Sequence, residues 1–282
     1  MKQYIQFIFA LTICFSLASC KQQKKTDNEI ATGTVAEPNE LGKTLSESPR
    51  HHEWVDLKRS NGSIMKAFVV YPESKDKTKT VIVIHENRGL NDWARSFADE
   101  LAGKGFLVIA PDLISNTVDG IEKTTDFENT DKAREAIYAL GPEQVTADLN
   151  NTFNYIKSDT ASNGKVALVG FCWGGSQTFR YATNNPEITS ANVFYGTAPR
   201  EKEVFANIKA PVYGYYGGND NRVNSTIDET KDIMDTLNKT YEAVVYEGAG
   251  HAFMRKGSQV DSNKANKNAH DRAWKRLLEK IR

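Results

Sequence analysis

Several short stretches of this chain are apolar on consecutive residues rather than on alternate ones, and this restricts the fold more than any other feature. Thr80–His85, Phe106–Ala110, Lys165–Val169, Ala191–Tyr195, Pro211–Tyr216 and Tyr241–Tyr246 are all of strand length and rich in Val, Ile, Phe and Tyr. A strand covered on both faces needs such a run, whereas a strand with one wet face alternates. Amphipathic stretches of helical length separate these runs at roughly Trp93–Lys104, Pro142–Lys157, Gly174–Asn184, Thr226–Lys239 and Asn268–Ile281. Pro142 suits a first helical turn, where its missing N–H leaves no bond unmade. With two leading strands at Trp54–Lys58 and Ile64–Tyr71, the pattern predicts a doubly wound α/β fold. Its sheet has about eight strands, is mostly parallel with an antiparallel beginning, and is flanked by helices. No Gly-x-Gly-x-x-Gly follows the first strand, which argues against a dinucleotide-binding version of the architecture.

The 282 residues carry 36 basic and 36 acidic side chains, scattered rather than clustered. No basic stripe points to nucleic acid, and charge says little else about a partner. The first residues differ from the rest. Lys2 gives a positive start, Ile5–Leu17 is mostly apolar but short for a membrane span, and Leu17-Ala18-Ser19-Cys20 closes the segment with small residues. This reads as an export signal, and its end resembles the bacterial lipobox, which implies cleavage before Cys20 and lipidation of its thiol. The expected organisation is a signal peptide over 1–19, a flexible polar tether over 20–50 and one catalytic domain over 51–282. The mature protein would sit in a bacterial cell envelope, lipid-anchored to the membrane on the periplasmic face. Cys172 is then the one free thiol of the mature chain, so no internal disulfide forms.

Directly after the strand that ends at Val169 comes Gly170-Phe171-Cys172-Trp173-Gly174-Gly175, followed by a helical pattern. This is a Gly-x-nucleophile-x-Gly turn with cysteine in the place more often held by serine. Small residues on either side let neighbouring backbone approach a side chain held in a strained pose. The helix N-terminus is expected to favour thiolate over thiol, with the N–H of Trp173 facing the carbonyl oxygen under attack. Two later loops supply an acid and a base in the matching chain order: Asp220 after the strand ending at Tyr216, and His251 after the strand ending at Tyr246. His251 would accept the thiol proton, Asp220 would fix its tautomer, and the thiolate would attack an ester or lactone carbonyl to give an acyl-thioester that water releases.

At this point the chain resembles the dienelactone hydrolases, members of the α/β-hydrolase fold, from about Trp54 to its end. The motifs are His85-Glu86-Asn87-Arg88-Gly89-Leu90, Ala110-Pro111-Asp112-Leu113, the Cys172 turn, Gly218-Asn219-Asp220 and Gly250-His251-Ala252-Phe253. The resemblance implies that Cys172, Asp220 and His251 are the catalytic triad. It also implies that Glu86 helps take the thiol proton when substrate arrives, and that the backbone N–H groups of Asn87 and Trp173 form the oxyanion hole. Arg255 matches a second family arginine near the pocket and would bind substrate. The stretch Ile114-Ser115-Asn116 departs from the family, where an arginine often follows Pro-Asp-Leu to grip a substrate carboxylate, and Ala252 stands where a hydroxyl residue is common. The expected partner is thus a small ester or lactone, though not necessarily dienelactone. No cofactor is required and no metal-ligand spacing is present. Two other readings stay open on sequence grounds: a non-catalytic envelope lipoprotein that uses the fold for binding, and a redox-sensing role for Cys172. Oligomeric state is not readable.

Overall fold

The computed structural model describes residues 45–282. The signal segment 1–19, Cys20 and most of the expected tether lie outside the described residues. Eight strands form one sheet: β1 (His52–Lys58), β2 (Ile64–Val70), β3 (Thr78–Ile84), β4 (Leu107–Pro111), β5 (Ser162–Phe171), β6 (Ser190–Phe194), β7 (Val212–Gly217) and β8 (Tyr241–Tyr246). Their order across the sheet is β1-β2-β4-β3-β5-β6-β7-β8. β1 and β2 pair antiparallel, β2 pairs antiparallel with β4, and every later pairing is parallel. The helices are α1 (Asp92–Ala102), α2 (Thr130–Tyr138), α3 (Pro142–Lys157), α4 (Trp173–Ala182), α5 (Asn221–Asn224), α6 (Ile227–Thr236), α7 (Phe253–Gly257) and α8 (Lys264–Ile281).

The consecutive apolar runs serve two cores at once. Val81, Val83, Ala167 and Val169 face one layer, where Phe97 of α1 stacks on Trp274 of α8 at 4.5 Å between ring centroids. Their neighbours Ile82, Ile84, Val166 and Leu168 face the other layer, against Leu149 and Phe153 of α3 and Phe179 of α4. Each such Val, Ile or Leu side chain contributes about 1.5–3 kcal/mol by leaving water, so an unpaired polar residue at any of these positions would be unfavourable on either face.

The expected strands and long helices are present, with ends displaced by a few residues. Sequence periodicity missed α2 because only Ala133, Ala136 and Ile137 of it are buried, in a small satellite cluster with Ile114 and Phe127. Its start is nonetheless marked by Asn129, whose side chain caps the N–H groups of Asp131 and Lys132. The last residues of the expected tether belong to the folded body. Ser48 Oγ and the Arg50 guanidinium both donate to the Asp99 carboxylate on α1, and His52 Nε2 lies 2.6 Å from it. Asp99 is buried, so its charge requires such partners. No helix among the described residues is long and apolar enough to cross a membrane.

Candidate active site

Parallel strands that share a direction bring their following loops to one edge, and the candidate residues emerge there after β3, β5, β7 and β8. Cys172 sits between β5 and α4 at φ 55° and ψ −116°, a conformation that costs about 1–3 kcal/mol for a residue with a Cβ. Its N–H donates to the Phe194 carbonyl at 3.0 Å and its own carbonyl accepts from Ser176 N–H at 3.1 Å, so both neighbours hold the strained turn. Glycine is required on either side by close approach. A Cβ on Gly170 would lie 2.2 Å from the Gly174 carbonyl oxygen, and one on Gly174 would lie 2.2 Å from that of His85. Because α4 presses so closely on the end of β3, the loop bearing Glu86 and Asn87 is brought to the cysteine. The backbone N–H groups of Trp173 and Asn87 both donate toward its sulfur.

The electrostatics of the thiol run against the simple helix-terminus expectation. Burial pushes Cys172 up, and the Glu86 charge pushes it further; the two N–H groups and the Arg222 charge pull it down without prevailing. A desolvated sulfur beside a carboxylate is better neutral, even at a helix start. Arg222, two residues beyond Asp220, was not singled out from the sequence.

Glu86 is buried and held on both oxygens: Oε1 accepts from the Tyr195 hydroxyl at 3.2 Å, and Oε2 accepts from Arg255 Nε at 2.8 Å. Arg255, expected to meet substrate, is thus engaged by a protein carboxylate, which holds its guanidinium up against the opposing effect of burial. Asp220 and His251 are brought together, with Nδ1 and Oδ2 2.5 Å apart, within hydrogen-bonding distance. Tyr195 joins the two halves of the site. It is fully buried at φ 40°, its ring meets His251 edge-on at 5.0 Å, and burial with the Glu86 charge keeps its hydroxyl protonated. Sequence reasoning saw Tyr195 only as a strand end; its position after a parallel strand was the available signal. Asn266 of α8 was also missed, although its Oδ1 accepts from Gly250 N–H at 2.9 Å and so steadies the loop before His251.

Two buried titratable groups clamp the Glu86 loop. His85 Nδ1 donates to the Glu86 carbonyl at 2.8 Å, Nε2 accepts from Leu113 N–H at 3.4 Å, and the ring stacks on Trp173. Asp112 accepts from the N–H and hydroxyl of Thr124 at 2.6 and 2.7 Å, and the Thr124 hydroxyl oxygen accepts from Leu90 N–H. Downstream, Ser115 and Asn116 bond the backbone of Lys66 and Ile64, which makes the departure from the family arginine a packing feature of β2. Among the described residues no three His, Cys, Asp or Glu side chains are grouped as metal ligands.

The clamp makes a pH prediction. Burial pushes His85 from 6.5 down to about 4, so the stability that its neutral form confers is lost as pH falls from 6.5 to 4, because the unfolded chain takes the proton first. Asp112 works the other way. Burial pushes it from 3.8 up to about 6, so the folded chain takes that proton first and gains stability as pH falls from 6 to about 4. Each effect amounts to about 3 kcal/mol, and in the natural chain they oppose one another. Asp112→Asn removes one side of the balance, so its melting temperature should drop more steeply than the natural protein's between pH 6.5 and 4; parallel curves would refute the opposition.

The strand order and the strained turn at Cys172 are those of an α/β-hydrolase-fold hydrolase. The sequence profile of the Dienelactone hydrolase family matches residues 65–282, and the chain belongs to that family. An Escherichia coli K12 protein is 29% identical over 232 residues, covering 78% of this chain and 83% of its own length. A Yersinia pestis protein is 31% identical over 206 residues, covering 69% and 76%. Both carry the name "Putative carboxymethylenebutenolidase". The crystal structure of a dienelactone hydrolase-like promiscuous phosphotriesterase from metagenomic libraries superimposes with a TM-score of 0.69 over 82% of this chain and 97% of its own, at 21% identity. That likeness shows the fold.

Proposed function

We propose that the protein cleaves small carboxylic esters or lactones by thiol catalysis. The observation that carries this reading is Cys172 held in a strained conformation between β5 and α4, at the same sheet edge as the hydrogen-bonded Asp220–His251 pair. His251 takes the proton from Cys172 Sγ, and the sulfur attacks the carbonyl carbon. The tetrahedral oxyanion is met by the N–H groups of Trp173 and Asn87. As it collapses, the C–O bond breaks and the leaving oxygen takes the proton back from His251; in a lactone that oxygen stays tethered to the acyl group. Water, deprotonated by His251, then attacks the thioester and releases the carboxylic acid with regeneration of the thiol. Asp220 accepts from His251 Nδ1 throughout and stabilises the imidazolium.

Glu86 is the second base in this proposal. In the resting state it is held by Tyr195 and Arg255, and burial of the sulfur together with the Glu86 charge favours the thiol at Cys172, which protects it from oxidation and alkylation. An incoming acyl group that draws Glu86 toward the sulfur would create thiolate only when substrate is present. The relatives' name points to lactones as the substrate class, and the engagement of Arg255 by Glu86 supports ligands that do not depend on a free guanidinium at that position.

The test is Glu86→Gln, read two ways. Removing the negative charge lowers the thiol's pKa, so iodoacetamide should label Cys172 faster near pH 7. Loss of the base should meanwhile lower p-nitrophenyl acetate turnover by about 10²-fold. The two observables move in opposite directions. If alkylation and turnover rise or fall together, Glu86 does not have this role; if the natural enzyme turns over no ester and labels at no site, the hydrolase reading itself fails.

A further inference from the structure

The groove between the edge strand β8 and helix α8 is lined by side chains that the catalytic reading does not use, and it encloses about 480 Å³. Arg272, Lys275, Arg276 and Lys280 line it from α8, where their spacing puts them along one helix face. They face two carboxylates. Glu242 is shared by Arg276 at 3.6 Å and Lys280 at 2.7 Å, while Glu279 lies on α8 itself. Neither Arg272 nor Lys275 has a carboxylate partner among the described residues, so the groove holds an excess of positive charge.

Arg276 is fixed in place. It donates to the carbonyls of Gly214 at 3.3 Å and Glu242 at 3.0 Å, and its guanidinium lies 4.5 Å from the Tyr215 ring centroid. Arg272 lies over the Tyr246 ring at 5.4 Å. Tyr246 lines the same groove and is only 2% exposed, yet its hydroxyl has no hydrogen-bond partner among the described residues. Burial pushes that phenol up to about 12, so it remains a donor at neutral pH. Buried tyrosine hydroxyls are ordinarily paired, and an orphan costs about 1–3 kcal/mol. A buried donor under the influence of two guanidinium groups, Arg272 and Arg276, with no acceptor supplied by the protein, calls for an anionic acceptor from outside.

We propose that this groove binds a phosphate group, as a small phosphate ester or as the headgroup of an anionic phospholipid. The planar pair of oxygens on a carboxylate matches one guanidinium fork, whereas a tetrahedral phosphate presents oxygens to Arg272, Lys275 and the Tyr246 hydroxyl at once. Its charge of up to two also matches the two unpaired cations.

The experiment uses the full chain and two variants, Arg272→Gln with Lys275→Gln, and Tyr246→Phe. Calorimetric titration with inorganic phosphate and glycerol 3-phosphate reads the soluble arm. Sedimentation with phosphatidylglycerol vesicles, against phosphatidylcholine vesicles, reads the lipid arm, as the difference between natural chain and variants. Salt-sensitive binding to at least one phosphate-bearing probe is expected. The double variant should lose it about tenfold or more, and Tyr246→Phe should weaken it by a similar factor, the worth of one hydrogen bond to a charged group. Glycerol 3-phosphate binding identifies a soluble ester; a response confined to phosphatidylglycerol identifies a headgroup. Ester turnover and melting temperature of both variants should stay at or above those of the natural chain, since Tyr246→Phe removes a hydroxyl that bonds nothing. Absence of binding to every probe, binding that both variants retain, or an equal difference between natural chain and variants on neutral vesicles would overturn the proposal.

Discussion

Cys172→Ala should lower kcat/KM for p-nitrophenyl acetate by roughly 10⁴-fold or more, the scale seen when the nucleophile of a serine hydrolase is removed. That corresponds to about 5.5 kcal/mol of lost transition-state stabilisation, far more than the roughly 1 kcal/mol that deleting one buried sulfur should cost the fold. The two magnitudes separate chemistry from structure. Thermal melting should barely move, His251 and Asp220 should remain paired, and the residual rate should reflect only the N–H donors of Trp173 and Asn87. Activity within tenfold of the natural enzyme would remove Cys172 from the mechanism and place the ester cleavage on other residues.

Gly174→Ala tests the turn rather than the sulfur, and it should damage both stability and turnover. The added Cβ would sit 2.2 Å from the His85 carbonyl oxygen and 2.4 Å from that of Ile84, and backbone atoms in a paired strand cannot swing aside as a flexible side chain can. Overpacking of this kind costs about 3 kcal/mol or more, which in a domain of this size lowers the melting temperature by about 6–12 °C. The same displacement moves the His85–Glu86–Asn87 loop, so kcat should fall even in the fraction that stays folded. A variant that melts normally with full activity would mean that β3 and α4 are not in such close contact.

Much of this architecture was legible before any coordinates. The consecutive apolar runs predicted the strands, since a residue pair such as Val81 and Ile82 must satisfy two cores at once. The sharp turn at Cys172 was readable because only glycine tolerates the approaches at positions 170 and 174. Asp220 and His251 were legible because each follows a strand that ends at the same edge. Glu86 and Asn87 rested on family resemblance alone, since a glutamate after a strand carries no local signal of its chemistry. Helix α2 escaped notice because its apolar face is three residues wide, and the residues around Ser48 and Arg50 looked like tether because their partner, Asp99, lies far along the chain.

By itself the sequence determined which segments are strands, where the chain turns sharply, and in what order Cys172, Asp220 and His251 follow their strands. Those properties depend on residue periods and steric limits within a few positions. Tertiary structure alone decided that the Cys172 thiol is pushed up rather than down, that Glu86 engages Arg255, and that Tyr195 stands at the centre of the site. Each is set by charges and burial contributed from distant parts of the chain: Glu86 and Cys172 meet only because β3 and β5 are neighbours in the sheet. The energy of a charge depends on what surrounds it in space, and local sequence carries no record of that.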